Sequence, residues 1–162
     1  MTQTNQGQVA CSGPNRIFVG YCNEDARWFN SLQKILKPLV DSGKLELWDN
    51  SRIKPGQKWR EEIEQALAES RAAILLISPD FFARSECSHL LESVEKDGMR
   101  IFWLSISASC YNHTAIANYQ CVNDPAKPLD RLDKGRCNEV LVCAANTIHE
   151  ILEASCERPG NR

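Results

Sequence analysis

The chain has 162 residues, of which 43% are hydrophobic and 25% are charged, and its formal net charge at pH 7 is −2. This size and composition are typical of one soluble globular domain with a single core. A charge so near zero excludes the broad basic surface that nucleic acids and anionic membranes attract, and no apolar run approaches the roughly 20 residues of a membrane helix. We therefore expect a cytoplasmic domain with neither nucleic acid nor membrane among its partners.

The two ends of the chain differ from the middle in composition. Residues 1–14 are polar and lack the basic and apolar regions of a secretory signal, so we expect a flexible N-terminal tail. One domain is expected over residues 15–157, followed by a short C-terminal tail at 158–162.

The eight cysteines are even in number, yet they lie among apolar segments in a chain without an export signal, so reduced thiols are the better prediction. The spacing Cys110-x-x-His113 followed by Cys121 lacks the paired ligands of structural zinc sites. Cys87 and His89 do not form a nucleophile–base pair, because residues two apart on a helix point in different directions. No metal site is predicted.

Short apolar runs alternate with amphipathic segments along the chain. The runs at 17–21, 72–78 and 101–107 are typical of strands buried on both faces, and 44–48 alternates as an edge strand does. A fifth short strand is suggested near 119–122. Helical periodicity occupies the intervening and final segments: 25–40, 58–69, 86–97 and 136–155. This order predicts a doubly wound α/β domain with a parallel sheet of about five strands and helices on both faces.

In an open parallel sheet, ligands bind outside the carboxyl ends of the strands. Two connections at that edge are distinctive. Residues 49–57, DNSRIKPGQ, form a long charged loop with a Pro-Gly turn, and residues 80–86, DFFARSE, lead into a helix that begins near Glu86. Neither GxGxxG nor GxxxxGK[ST] occurs, which disfavours ordinary dinucleotide-cofactor and P-loop sites.

Four segments together resemble a TIR domain of the bacterial type: RIFVGYCNEDARW, LELWDNSRIKPGQKWREEIEQAL, AAILLISPDFF and IFWLSIS. The resemblance covers about residues 15–155 and implies a flavodoxin-like fold. Members of this family act either as self-associating interaction modules or as NAD+ glycohydrolases and cyclases with one catalytic glutamate. A role in defence signalling follows from the resemblance alone.

The resemblance implies that Glu86 is the catalytic glutamate, with Phe82 four residues ahead of it where the enzymes more often have Trp. The connection before Glu86 is shorter than in similar bacterial sequences, so Glu92 is a second candidate. The alternative role for Glu86 is a charge in the first helical turn, behind Ser85 as a cap, which the helix dipole favours by about 0.3–1 kcal/mol.

The expected NAD+ contacts come from the ends of the first two strands. They are Tyr21, Cys22, Trp48, Asp49 and Arg52, beside Phe82. Cys22 stands where the family often has Ser or Arg, which reshapes ribose or phosphate contacts. Trp48 fits stacking on the substrate and plain packing equally well, whereas Trp59 fits a helical core stripe. NAD+ is expected as substrate, without a further cofactor.

The resemblance assigns self-association to the loop after the second strand, through Asn50, Ile53, Lys54, Pro55 and Gly56. It therefore leaves two functions open: an NAD+-cleaving enzyme that depends on assembly, and a non-enzymatic module that acts by homotypic assembly. A receiver-like domain is a more distant alternative, since Asn23-Glu24-Asp25 is a poor match to a paired-acid magnesium cluster.

Overall fold

The computed structural model describes residues 15–156. Within them, a four-stranded parallel sheet has the order β2-β1-β3-β4. The strands are β1 (Asn15–Gly20), β2 (Leu45–Asp49), β3 (Ala72–Ile77) and β4 (Arg100–Ser105). Each predicted strand except the fifth is present to within one or two residues, and the doubly wound, flavodoxin-like α/β class is confirmed.

Five α-helices connect and follow the strands in the described part of the chain. They are α1 (Ala26–Asp41), α2 (Trp59–Ala68), α3 (Pro79–Ala83), α4 (Ser85–Lys96) and α5 (Lys134–Cys156). The four predicted helices correspond to α1, α2, α4 and α5. The short α3 was not predicted; its Ser78 cap accepts a hydrogen bond from the Phe81 amide at 3.2 Å, and Pro79 suits the first helical position.

Both faces of the sheet are buried, as the continuous apolar runs predict. All six residues of β3 are buried, and successive side chains alternate between two core clusters. Ile74 and Leu76 belong to the cluster that contains residues of α1 and α5, whereas Leu75 and Ile77 belong to the one that contains residues of α2 and α4. This alternation places α4 and its first turn on the second face.

The predicted fifth strand is reduced to one parallel bridge between Trp103 and Cys121. Beyond the bridge, the Asn123 side chain replaces a neighbouring backbone: its Oδ1 accepts from the Ser105 amide at 2.8 Å, and its Nδ2 donates to the Ser105 carbonyl at 3.2 Å. Because the Asn123 side chain already satisfies the backbone amide and carbonyl of Ser105, no further backbone pairing forms along this edge of β4. The prediction of about five strands is therefore wrong by one in the described residues.

Gly20 lies where β1 passes close to α4. A Cβ atom there would lie 2.5 Å from Leu90 Cδ2 and 3.0 Å from Leu75 Cδ2, both on buried side chains. We expect Gly20→Ala to lower the free energy of unfolding by about 1–3 kcal/mol, because overpacking moves Leu90. Denaturant unfolding measures this. Gly135→Ala is the control, since its new Cβ would meet only Asp133 at 3.6 Å, and equal stability of the two variants would contradict the prediction.

The two predicted tails, residues 1–14 and 158–162, lie outside the described residues. Six cysteines in the described part of the chain are free thiols: Cys22, Cys87, Cys110, Cys121, Cys137 and Cys143. None of the described helices has the length and apolar character needed to span a membrane.

Candidate functional site

A cavity of about 450 Å³ opens at the carboxyl ends of β1 and β2, next to the start of α4. This is the edge at which parallel sheets bind ligands, and the volume lies in the range of small-molecule pockets. The lining residues are Tyr21, Cys22, Asn23, Asn50, Ser51, Ile53, Trp59, Arg84, Glu86, Cys87 and Leu90. Strand register sets the position, since Val19 pairs with Asp49 and so brings the ends of β1 and β2 level.

Glu86 projects from the first turn of α4 into this lining. Its side chain makes no hydrogen bond and no ion pair with the residues that the structure describes, so the carboxylate is available to a ligand. The cap of α4 is Arg84, without a side-chain cap bond, and Ser85 is the first helical residue rather than the cap. A first-turn carboxylate still favours the helix dipole, so the location fits both roles predicted for Glu86.

Glu92 lies in a different environment, about two turns along α4. Its side chain is 78% exposed and approaches His89 Nδ1 at 3.7 Å, and it does not line the cavity. Of the two candidate glutamates, only Glu86 is positioned at the carboxyl edge of the sheet.

Arg84 and Glu24 form an ion pair at the rim of the cavity. The Arg84 guanidinium donates to the Glu24 carboxylate, which follows β1, so the pair joins the β1 exit to the start of α4. The hydrogen bond lowers the pKa of Glu24 and raises that of Arg84. The side chains are about half exposed.

A hydrogen bond between Tyr21 and Asp49 connects the ends of β1 and β2 at the base of the site. The Tyr21 hydroxyl donates to Asp49 Oδ2 at 3.0 Å, and Asp49 also accepts from the Ser51 amide at 3.1 Å and from the Ser51 hydroxyl. Burial, with the nearby Asp49 charge, raises the pKa of Tyr21 to about 12. Asp49 is buried and does not line the cavity, so its observed contacts orient the loop after β2.

Asn50 presents an unused acceptor within the same wall. Its Nδ2 donates to the Tyr21 carbonyl at 3.3 Å, while its Oδ1 is buried and has no hydrogen-bond partner among the described residues. A buried polar atom without a partner is costly, which makes this oxygen a natural acceptor for a ligand hydroxyl or amide.

A buried polar cluster beneath the cavity was not predicted from the sequence. Asp25 is 6% exposed and accepts from the Ser78 hydroxyl and, at 3.1 Å, from the Cys22 thiol. Asp25 therefore ties the exit of β1 to the exit of β3. The sequence shows Asn23-Glu24-Asp25 only as a poor acidic cluster, and the partner Ser78 lies 53 residues away.

Cys22, Asp25 and Asp80 also bring three possible metal-ligand atoms within 4.8 Å of one another. Burial and the hydrogen bond to Asp25 raise the pKa of the Cys22 thiol to about 12, so the thiol stays protonated at neutral pH. The expectation of no metal stays a prediction.

We expect the two cysteines of the cavity to resist alkylation. Burial raises the pKa values of Cys22 and Cys87 to about 12, whereas Cys110 and Cys143 are exposed. At pH 8 iodoacetamide should modify the exposed pair faster by about two orders of magnitude or more, because the thiolate is the reactive form. Peptide mass spectrometry measures the rates, and equal labelling of all four residues would contradict this expectation.

Four of the predicted substrate contacts lie outside the cavity lining, and the buried Asp49 described above is one of them. Trp48 stacks on Phe18 with centroids 5.3 Å apart, and Phe82 packs edge-to-face on Phe81 at 5.7 Å. The exposed Arg52 lies 3.7 Å from Asp49 and lines a separate surface pocket near α1. Tyr21 and Cys22 do line the cavity. The substrate-binding roles of all these residues stay predictions.

Trp59 was expected in the core, and the structure gives it a second environment. It is partly buried against the core cluster under α2 and α4, and it also lines the cavity. A neighbouring surface pocket of about 580 Å³ shares Trp59 and Glu86 with the first and includes Lys58, Arg60 and His89. Glu86 thus lies between two adjoining depressions.

The predicted self-association loop divides into an inner and an outer part. Asn50 and Ile53 line the cavity, whereas Lys54, Pro55 and Gly56 are exposed. Gln57 N donates to the Lys54 carbonyl at 3.1 Å, and Gly56 has φ of 92°, as expected for the third residue of a type II turn.

Another cavity, of about 630 Å³, is larger than the one that Glu86 lines but lies away from it. It is lined by the amino end of β4, residues 118–122 and α5, and no carboxylate or histidine is among its lining residues. We favour the smaller cavity as the functional site because it combines the strand carboxyl ends with an unpaired carboxylate.

Comparisons with known proteins identify the family and the fold. The TIR domain family model matches residues 17–132. Comparison with curated proteins gives no match.

Three solved structures illustrate the structural likeness. The TIR domain of the Toll-related receptor TRR-2 from Hydra magnipapillata is 22% identical, with 68% of this chain and 86% of that chain covered and a TM-score of 0.51. A diflavin flavoprotein A3 from Nostoc sp. is 8% identical, with 91% and 97% covered and a TM-score of 0.53. The TIR domains of the activated Roq1 resistosome are 18% identical, with 82% and 84% covered and a TM-score of 0.46. At such identities the likeness to the first two structures shows the fold alone.

Proposed function

The chain belongs to the TIR domain family, and we propose that it is an NAD+ glycohydrolase or cyclase with Glu86 as its catalytic residue. The observation that carries the proposal is the Glu86 carboxylate, unpaired among the described residues and lining a cavity at the carboxyl ends of β1 and β2. Glu92 is the less favoured candidate because it lies outside that lining.

The proposed reaction requires one carboxylate. The bond between C1′ of the ribose and the nicotinamide nitrogen breaks, and its electron pair neutralises the positively charged ring as nicotinamide leaves. The ribose becomes oxocarbenium-like, and the negative charge of Glu86 stabilises it. Addition of water, followed by loss of its proton, gives ADP-ribose; addition of an adenine nitrogen gives a cyclic isomer.

Other parts of the cavity suit a nucleotide. The buried Oδ1 of Asn50 can accept from a ribose hydroxyl or the carboxamide, which would satisfy an otherwise unpartnered atom. Trp59 adds an aromatic surface beside Glu86 on which a flat ring can stack. NAD+ is thus the proposed substrate, without an additional cofactor, in a cytoplasmic defence-signalling role.

We include self-association in the proposal because the loop that forms one wall of the cavity also exposes its turn. Asn50 and Ile53 face the cavity while Pro55 and Gly56 remain at the surface, so a second copy that contacts the turn can alter the wall. Assembly and catalysis are coupled through this loop in our proposal.

NAD+ consumption and nicotinamide release by the purified chain test the function. The reaction is followed by chromatography over a range of protein concentrations, with a crowding agent to favour assembly. Product formation that rises more than linearly with protein concentration supports an assembly-dependent enzyme. No turnover despite oligomers detected by light scattering would contradict the enzyme proposal.

The second candidate function is a non-enzymatic module that acts by homotypic assembly. The packing of Phe82 against Phe81 favours it, because an aromatic expected near the substrate lies outside the cavity lining. This candidate predicts oligomers that leave NAD+ intact in every assembled form.

We expect Gly56→Val to weaken self-association about tenfold or more. Valine strongly disfavours the positive φ that Gly56 adopts, so the exposed turn must change shape. Light scattering across a dilution series measures the effect. Gly43→Val is the matched control, because Gly43 also has a positive φ, of 81°, but lies outside this loop. A similar loss of assembly in both variants would show general backbone strain instead of a specific role for the turn.

A further inference from the structure

The charges that line the cavity are few and of opposite sign. Among the described residues, Arg84 is the only basic residue in the cavity lining, and Glu86 is the only acidic one. A dinucleotide substrate carries a negatively charged pyrophosphate between its two nucleosides, so part of the site must tolerate anionic oxygens close to a catalytic carboxylate. Arg84 is the residue of this lining that can neutralise them.

Arg84 is positioned where the chain changes direction. It has extended backbone angles, φ −100° and ψ 129°, between the end of α3 and the start of α4. Its side chain extends to Glu24 beyond β1, across the rim of the cavity. Arg84 thus lines the same cavity as Glu86, while the partner of its guanidinium, Glu24, lies on a different loop.

An anionic ligand can replace Glu24 as the partner of Arg84. The side chains of Arg84 and Glu24 are 48% and 41% exposed, and solvent-exposed ion pairs contribute little net stability. A pyrophosphate offers several charged oxygens in the geometry that a guanidinium binds through paired hydrogen bonds. The same donors that now bind one carboxylate can thus bind the phosphates.

We propose that Arg84 is the phosphate-recognising residue of this cavity and that Glu24 holds its guanidinium until the pyrophosphate of a dinucleotide displaces it. This inference rests on the proposed function and deepens it: Arg84 selects phosphate-bearing nucleotides over uncharged nucleosides. Glu24 sets the affinity by competing for the same donors.

Two other basic residues, Lys58 and Arg60, line the neighbouring pocket that includes Glu86, and they have different partners. Arg60 NH2 lies 2.8 Å from His89 Nε2, and Lys58 lies 3.8 Å from Glu61. Both line the neighbouring surface pocket and neither lines the cavity itself. Arg60→Ala therefore serves as the control, since it removes a guanidinium from the neighbouring pocket that Glu86 also lines but that lies outside the cavity.

Calorimetric titration of the full chain with ADP-ribose and with adenosine tests the inference without turnover. Arg84→Ala should weaken ADP-ribose binding by about tenfold while adenosine binding is unchanged, because a charge-assisted hydrogen bond is lost only for the phosphate-bearing ligand. Arg60→Ala should change neither. Glu24→Gln should strengthen ADP-ribose binding by about two- to fivefold, since an exposed pair is weak.

The double variant Glu24→Gln/Arg84→Ala separates release of Arg84 from a general change in charge. If Glu24 acts through Arg84, Glu24→Gln has no effect on ADP-ribose binding once Arg84 is absent. An equal gain in both backgrounds, or the larger loss in Arg60→Ala, overturns the inference. Absence of ADP-ribose binding to the unaltered chain at any protein concentration overturns it as well.

Failure of the proposed enzyme function gives a different result. Arg84-dependent binding of ADP-ribose together with NAD+ turnover that is absent, or unaffected by Glu86→Ala, would retain the phosphate site and reject the catalytic assignment. NAD+ turnover that requires Glu86, together with ADP-ribose binding that is unchanged in Arg84→Ala, would retain the catalytic assignment and reject the phosphate site.

Discussion

Glu86→Ala is expected to lower the rate of nicotinamide release from NAD+ by at least about 10²–10³-fold. That is the usual effect of removing one group that stabilises transition-state charge, and here no second carboxylate lines the cavity to compensate. The expected loss is in kcat, because the interaction with the ribose grows as positive charge develops in the transition state. Initial rates from chromatography, measured at saturating and at limiting NAD+, separate kcat from KM.

Two further variants make this experiment specific. Glu86→Gln keeps the size of the side chain and removes its charge, so it should be nearly as inactive as Glu86→Ala. Glu92→Ala should retain activity, because Glu92 lies outside the cavity lining with its side chain 78% exposed. Thermal unfolding of all three should match the unaltered chain closely, since both glutamates are exposed.

Each alternative gives a distinct pattern. Loss of activity in Glu92→Ala with full activity in Glu86→Ala would assign the catalysis to Glu92 and contradict the role of the cavity carboxylate. Full activity in both variants would place the chemistry elsewhere. Full activity in Glu86→Ala with a loss of stability of only about 0.3–1 kcal/mol would favour the simpler role of a charge in the first turn of α4.

Trp103→Ala is expected to reduce the free energy of unfolding by about 3–5 kcal/mol, the largest stability effect that we predict. Trp103 is 1% exposed and belongs to the core cluster under α2 and α4. Its Nε1 donates to the Tyr119 carbonyl at 2.8 Å, and its ring packs on Tyr111 at 4.9 Å. Alanine would therefore leave a cavity, an unpaired carbonyl and a weaker attachment for the segment after β4.

Trp103→Phe divides this effect into its parts. Phenylalanine retains most of the buried apolar area but cannot donate to Tyr119, so we expect a loss of about 1–2 kcal/mol beyond the change in volume. Denaturant unfolding gives both values, and hydrogen exchange over residues 107–123 reports whether the segment opens locally. A loss below about 1 kcal/mol for Trp103→Ala would contradict the prediction that this indole attaches the segment after β4 to the core.

Much of the architecture follows from local patterns. The run AAILLIS predicts a strand buried on both faces because it leaves no polar face, and β3 is buried throughout as expected. The alternation of such runs with amphipathic segments requires crossovers, which fixes parallel pairing and helices on both faces. The WDNSRIKPGQ loop and the SPDFF strand end indicate the family, which the match over residues 17–132 confirms.

Local patterns do not predict features that depend on residues far away in the chain. Residues 119–122 have a strand-like pattern, but the amide of Asn123 occupies the edge of β4, and one bridge is all that forms. Trp48 fits stacking on a substrate and packing equally well from the sequence; its ring contacts Phe18, and its substrate role stays a prediction. Neither outcome can be read from periodicity, since both depend on a neighbour outside the local segment.

Local sequence patterns were enough to predict the α/β class, the approximate bounds of four strands and four helices, and the placement of Glu86 at a helix start beside the carboxyl edge of the sheet. Which polar groups meet there depends on the packing of distant segments. Tyr21 with Asp49, Asp25 with Ser78, and Arg84 with Glu24 are separated by 28, 53 and 60 residues. Strand and helix periodicities specify which face of an element is buried, whereas pairing across the sheet depends on register and on the packing of elements that are remote in the chain.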